Sequence, residues 1–338
     1  MSMNVAVLGA TGAVGTELLN LLAERNFPVG KLKLLASARS AGRRIQALGR
    51  EIVVEEVSEA AFADVDIAFF AAGGEVSKQW APVAVKQGTV VVDNSSAFRM
   101  DPQVPLVVPE VNAQDIKTQK GIIANPNCST IIMAVALEPI HRAVGIERVV
   151  VSTYQAVSGV GARAITELEQ QTRAVLNGEE PVMECFPGTS AKKHYLMAFN
   201  LIPQIDSFLE DGYTKEEVKM IDETRKIFHE PEMRITATTV RVPVYRCHSE
   251  SINLELKGEL SVAEAQRILA ESPGIVVVDN PEEQEYPMPL DVTGKDEIYV
   301  GRIRVDQSIP HGLNLWVVGD QIRKGAALNA VQIAEQLL

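Results

Sequence analysis

Cys128 lies in the run Asn125-Pro126-Asn127-Cys128-Ser129-Thr130, directly ahead of Ile131, Ile132, Val135 and Ile140, whose spacing is helical. A thiol there sits at a helix N-terminus. The dipole and open amides favour the thiolate, and the same amides can stabilise an oxyanion on a carbonyl attached to the sulfur. This is the chemistry of a covalent acyl intermediate, although position alone fits a small buried cysteine equally well. A second chemical signal is the glycine turn Gly9-Ala10-Thr11-Gly12-Ala13-Val14-Gly15. It lies between the apolar run Met3 to Leu8 and a helical pattern of Val14, Leu18, Leu21 and Leu22. Amides from Gly9, Thr11, Gly12, Ala13 and Val14 can then face a pyrophosphate. The spacing is GxxGxxG rather than GxGxxG, so a plain strand-to-helix turn competes with the dinucleotide reading.

In NAD-binding units a carboxylate near the end of the second strand accepts hydrogen bonds from the ribose hydroxyls. Here that strand ends Ala36-Ser37-Ala38-Arg39-Ser40. Ser37, Arg39 and Ser40 suit a 2′-phosphate and predict NADP, the alternative being a solvated loop arginine. The cluster Ser158-Gly159-Val160-Gly161 allows close backbone approach. Ser158 and Gly159 are expected at the nicotinamide ring, or else in a plain loop ahead of the helical Ile165 and Leu168. Arg99 follows Asp93-Asn94-Ser95-Ser96-Ala97-Phe98 at the end of a strand, the side where open α/β sheets bind ligands. A further helix opens with a capping box, Thr214 and Glu217, with Val218, Ile221 and Phe228 as its expected buried stripe. Glu216 and Lys219 share the other face, where spacing alone favours a solvated ion pair.

These residues need elements to hold them. Apolar runs at Lys31 to Ala36, Val65 to Ala71, Thr89 to Val92 and Leu106 to Val108 alternate with polar or helical segments, the pattern of a Rossmann-like, doubly wound parallel sheet. After a helix from about Thr130 to Val144 the character changes. Long alternating strands at Glu147 to Val157, Arg234 to Tyr245, Ser251 to Lys257 and Tyr299 to Val305 predict an α+β domain with a mostly antiparallel sheet. The helical Gly325 to Leu338 is expected to rejoin the first domain. The domains are thus 1–127 with 319–338, binding NADP, and 128–318, which carries the Cys128 chemistry.

With 338 residues, 46% of them hydrophobic, the chain can bury a sizeable core. A net charge of −12 argues against nucleic-acid or anionic-membrane partners. Cys128, Cys185 and Cys247 are widely spaced without a zinc pattern, so no metal is expected, and a reducing cytoplasm is the natural location. No basic-then-apolar leader and no run of about 18 apolar residues is present.

The segments GATGAVG, DNSSAFR, NPNCST, YQAVSGVG, RVPVYRCHSE and GDQIRKGAAL stand in the order seen in bacterial aspartate-semialdehyde dehydrogenases, and the chain resembles that family along its length. The resemblance implies NADPH-dependent reduction of L-aspartyl 4-phosphate to L-aspartate 4-semialdehyde through a Cys128 thioester. The product would feed lysine, diaminopimelate, methionine, threonine and isoleucine synthesis. Carried over by motif, Gln155 orients the acyl group, His248 acts as acid and base, and Arg241 holds the α-carboxylate. Asn127, beside the nucleophile, joins the substrate site, Glu216 takes the amino group, and Arg99 and Lys219 take the phosphate. Gln321 contacts the cofactor. From the residues alone, His248 reads as a core or interface histidine and Arg241 as a surface strand arginine. Cys185 and Cys247 read as structural. A homodimer is implied. The rival readings are an N-acetyl-glutamyl-phosphate reductase, with a longer acetylated substrate, and an inactive NADP-binding homologue.

Overall fold

The computed structural model describes residues 2–189 and 191–338. They form two compact units, one running up to Cys128 and including Gly325–Leu338, the other Ser129–Lys324.

The first unit is built on a seven-stranded sheet of order β3-β4-β2-β1-β5-β6-β7. Its strands are β1 (Met3–Leu8), β2 (Val29–Ala36), β3 (Arg44–Ala47), β4 (Arg50–Glu56), β5 (Ile67–Phe70), β6 (Val90–Asp93) and β7 (Ile122–Ala124). All neighbours are parallel except the β3/β4 hairpin. Both faces are covered, as a parallel sheet requires. On one face Leu18, Leu21 and Leu22 of α1 (Ala13–Glu24) pack with Val5, Val7 and Leu34. On the other, Ala81 and Ala84 of α2 (Gly74–Lys86) pack with Leu8, Phe62 and Phe70. Leu18, Leu21 and Leu22 have no exposed surface, and burying each contributes about 1.5–3 kcal/mol. A short helix, α3 (Pro109–Asn112), precedes β7.

The strand expected at Leu106 to Val108 is only a single bridge, Leu106 to Ala124, because Pro105 and Pro109 leave too short a run to pair. β3 and β4 are absent from the expected strands. Their exposed Arg44, Arg50, Glu51, Glu55 and Glu56 hide the apolar alternation, as is common at a sheet edge.

The second unit starts within α4 (Cys128–Val144), whose residues Ser129 to Leu137 are all buried. Its six-stranded sheet has the order β11-β12-β13-β10-β8-β9. These are β8 (Ile146–Gln155), β9 (Arg234–Arg241), β10 (His248–Leu256), β11 (Ile275–Val277), β12 (Ile298–Asp306) and β13 (Gly312–Gly319). The central pairs β8/β10, β10/β13 and β12/β13 are antiparallel, and the outer pairs are parallel. β9 stops at Arg241, short of the expected Tyr245, because Pro243 cannot donate to a ladder. Helices α5 (Ala162–Asn177), α6 (Lys215–Phe228), α7 (Val262–Ala270) and α8 (Pro289–Val292) complete the unit. α9 (Leu328–Glu335) packs Val331 and Ile333 into the core of the first unit.

The chain re-enters the first unit at Gly325 rather than at 319. Asp320 and Arg323 remain bound to Arg246 and Asp296 of the second.

Candidate functional site

In the first unit β1 runs into Gly9, whose φ of +90° and whose position, with a Cβ falling 2.6 Å from the carbonyl oxygen of Ala71, admit only glycine. Gly15 is equally constrained, since a Cβ would lie 2.2 Å from the Gly9 carbonyl oxygen. Gly12 is different. It caps α1 without a side-chain hydrogen bond, and it and Ala13 are exposed. The three glycines therefore divide into a tight turn, an open backbone approach and close helix packing, the division that a pyrophosphate site needs. Thr11 and Val14 flank the turn, half-buried. β1 and β5 are neighbours whose onward connections diverge, so this turn stands at the switch point of the sheet. At the end of β2, Ser37 and Arg39 are exposed, while Ser40 is buried in a turn closed by its N–H donating to Ser37 O at 2.9 Å.

Cys128 is half-buried at the start of α4. The loop ahead of it is fixed through buried Asn125. The Asn125 side-chain amide donates to Asn94 Oδ1 at 2.9 Å and to Ala326 O at 3.2 Å, and its Oδ1 accepts from Asn329 Nδ2 at 2.7 Å. Arg99 Nε donates to Asn125 O at 2.9 Å, and Nη2 donates to Asn94 O at 2.8 Å. Arg99 is thus a buried strut beneath the cysteine loop, whatever anion it also meets. Asn127, next to Cys128 in the chain, is buried. Gly325 backs the cysteine so closely that a Cβ there would lie 3.0 Å from Cys128 Cβ. Sequence reading singled out neither Asn125, Asn329 nor Gly325 for this role. The only signal was the Asn-Pro-Asn run.

In the second unit three strand ends bring Gln155, Arg241 and His248 together. Gln155 pairs with Arg241 across β8 and β9, and Tyr154 pairs with Ser249 across β8 and β10. All three side chains are buried, not at the surface. Gln155 Nε2 donates to Ser129 Oγ at 2.9 Å, to Thr153 Oγ1 at 3.3 Å and to Glu216 Oε1 at 3.4 Å. Arg241 Nη1 donates to Ala156 O at 2.7 Å, and the Ala156 N–H donates to His248 Nδ1 at 3.1 Å. With Nδ1 accepting, the neutral ring carries its proton on Nε2. Burial first, then the Arg241 guanidinium, hold His248 well below the ordinary imidazole range, against a weaker backbone hydrogen bond. The ring is neutral at pH 7. Gly159 is exposed, and a Cβ on it would lie 2.9 Å from Arg241 Nη1 and 3.5 Å from His248 Cε1.

α6 delivers its carboxylates through the capping box. Glu217 Oε2 accepts from Thr214 N at 2.7 Å and Oε1 from Thr239 N at 2.9 Å, so Glu217 is structural. The buried face is not the apolar stripe expected. Phe228 is buried as expected, but Val218 and Ile221 are only half-buried, while Glu216, Glu217, Met220 and Glu223 are buried. Lys219 Nζ lies 2.9 Å from Asp206 Oδ2 and 3.3 Å from Glu216 Oε2, so an ion pair with buried Glu216 is present. Gln321 has both ends of its amide engaged by protein. Its Oε1 accepts from Cys247 N at 2.8 Å and its Nε2 donates to Ser158 Oγ at 2.5 Å.

Glu250, two residues beyond His248 on β10, was not anticipated. It has no exposed surface, and burial pushes its carboxyl well above the usual range. Burial also raises the thiol of Cys185 to about 11 and that of Cys247 to about 12, which makes both poor nucleophiles. Among the described residues no three metal-ligating side chains cluster, and no helix is long and apolar enough to cross a membrane.

Residues 4–119 match the semialdehyde dehydrogenase NAD binding domain, and residues 137–324 the semialdehyde dehydrogenase dimerisation domain. The aspartate-semialdehyde dehydrogenase of Aquifex aeolicus is 56% identical, the alignment covering 100% of this chain and 98% of that one. A crystal structure of aspartate semialdehyde dehydrogenase II from Vibrio cholerae, complexed with ASA, superposes with a TM-score of 0.95 at 48% identity, covering 100% and 98% of the two chains. The enzyme from Candida albicans, with NADP, superposes with a TM-score of 0.76 at 26% identity over 100% and 98%.

Proposed function

The chain belongs to the aspartate-semialdehyde dehydrogenase family, and from that membership we propose that it reduces L-aspartyl 4-phosphate to L-aspartate 4-semialdehyde through a thioester on Cys128. It is an oxidoreductase with a nicotinamide-binding domain. The observation that carries the reading is the setting of Cys128. The thiol starts a helix on a loop tied down by Asn125, and the next residue, Ser129, accepts a hydrogen bond from Gln155.

The Cys128 thiolate attacks the acyl carbon and the bond to the phosphate oxygen breaks. Arg99 and Lys219 balance the charge of the departing phosphate. Helix N-terminal amides and Gln155 stabilise the oxyanion. Arg241 pairs with the α-carboxylate as a planar fork, and Glu216 accepts from the amino group. Gly9, Thr11, Gly12, Ala13 and Val14 would hold the reduced cofactor, with Ser158 and Gly159 at its ring, and the group would supply the hydride chemistry that the thioester needs. His248 shares its Nε2 proton with the resulting oxygen through a hydrogen bond, and the carbon–sulfur bond breaks as that oxygen re-forms the carbonyl, which frees the aldehyde and regenerates the thiolate. NADP is the preferred cofactor, because Arg39 and Ser37 stand exposed where NAD enzymes place a carboxylate. A homodimer, formed through the second unit, and a cytoplasmic location complete the reading.

A buried carboxylate at 216 suits a free amino group and not an acetylated one, which disfavours N-acetyl-glutamyl phosphate as substrate. Run in reverse with NADP and phosphate, the enzyme is expected to use aspartate semialdehyde at least about a hundredfold better in kcat/KM than N-acetyl-glutamate semialdehyde. Comparable rates on both would overturn the substrate assignment.

The phosphate ligands are tested in the same assay. Arg99→Ala and Lys219→Ala should each raise the apparent phosphate constant about tenfold or more, with a smaller change in the semialdehyde constant. If Lys219 serves only its ion pairs with Asp206 and Glu216, Lys219→Ala leaves the phosphate constant unchanged. Unaltered phosphate constants in both variants would remove the site.

A further inference from the structure

Cys247 adopts a φ of +73°, a left-handed conformation costly for any residue with a side chain, immediately before His248. Such a conformation persists only where its surroundings enforce it. Here the enforcement comes from the turn after β13. Buried Asp320 fixes that turn, its Oδ1 accepting from Ile322 N and Arg323 N at 3.0 and 3.2 Å and its Oδ2 from Gly294 N at 2.8 Å and Arg246 Nε at 2.6 Å. Gln321, only 3% exposed, extends from this anchored turn. It takes the Cys247 N–H on Oε1 and gives its own N–H to Ser158 Oγ.

Ser158 belongs to the segment that holds the other side of the histidine. Ala156 N–H donates to His248 Nδ1, Val157 N to Val244 O at 2.8 Å, and Ser158 N to Tyr245 O at 3.3 Å. Gln321 therefore closes a ring of contacts through Cys247, His248, Ala156 and Ser158. The geometry points to Gln321 as a positioning residue that fixes the backbone at Cys247 and so aims His248 Nε2. This rests on the reading of His248 as the acid and base.

Gln321→Met keeps the length of the side chain and loses both hydrogen bonds. It is expected to lower kcat about tenfold to a hundredfold, the cost of misplacing a proton-transfer group, while the cofactor Kd and the semialdehyde KM stay within about threefold. Gln321→Glu can still accept from Cys247 N and takes the Ser158 hydroxyl proton as a new hydrogen bond, so it should recover most of the lost rate. Ser158→Ala removes the far partner and should move kcat in the same direction by a smaller factor, a check that holds if Gln321→Met folds poorly. A raised cofactor Kd with unchanged kcat at saturation would overturn the proposal in favour of direct cofactor contact. A lower melting temperature with unchanged kcat per folded enzyme would overturn it in favour of a purely structural role. His248→Asn, assayed alongside, separates the two levels. If His248→Asn keeps wild-type turnover, the reading of the histidine itself fails. If it is inactive while Gln321→Met is fully active, only the positioning role fails.

Discussion

Cys128→Ser should lose turnover by about a thousandfold or more, because a hydroxyl with a far higher pKa supplies no nucleophile at neutral pH and forms a poorly cleaved ester in place of a thioester. Cofactor affinity should be nearly unchanged. The glycine turn proposed to hold the pyrophosphate is built from β1, α1 and the end of β5 and makes no use of the thiol. The fold should tolerate the change, since Cys128 is half-buried and serine is slightly smaller. Steady-state rates and cofactor titration on the purified variant check both halves. Retention of more than about a tenth of the activity would assign the chemistry elsewhere, and neither Cys185 nor Cys247, with thiols at about 11 and 12, is a credible substitute.

Arg39→Ala should weaken NADP by about ten- to hundredfold and leave NAD nearly unaffected, since only NADP carries a 2′-phosphate for the guanidinium to pair with. Arg39 is exposed in the turn that follows β2, so the substitution removes no packing and the loss reads directly on the phosphate. The contrast should shrink with added salt, as expected for an exposed charge pair. Equal losses for both cofactors would move the phosphate contact to Ser37 or elsewhere in the turn.

The elements that carry motifs were legible because their chemistry imposes a local pattern. Gly9 and Gly15 are forced by close backbone approach, and the Cys128 helix announces itself by its apolar spacing and its position after Asn-Pro-Asn. The Thr214 and Glu217 box was equally clear, both of its hydrogen bonds being local. What escaped was set by tertiary packing. Val218 and Ile221 look like the inner stripe of α6, but α6 is tied to β9 through Glu217, which accepts from Thr239 N, so carboxylates went inside. Asn329 and Gly325 act on the cysteine loop from about two hundred residues away, a relation no spacing rule reaches. Nor does a sequence pattern tell a buried His248 paired to a backbone amide from a plain core histidine. The contact between Ala156 N and Nδ1 joins residues 92 apart, which no local spacing announces.

The thioester can be caught most directly by mixing the enzyme with NADP and aspartate semialdehyde without phosphate, following NADPH formation, then quenching in acid and mapping the peptides by mass. Without phosphate to release the acyl group, the expected result is a burst of NADPH stoichiometric with active sites and an aspartyl adduct on the peptide carrying Cys128, discharged when phosphate is added. An adduct on Cys185 or Cys247, or steady turnover with no burst and no adduct, would contradict covalent catalysis at Cys128.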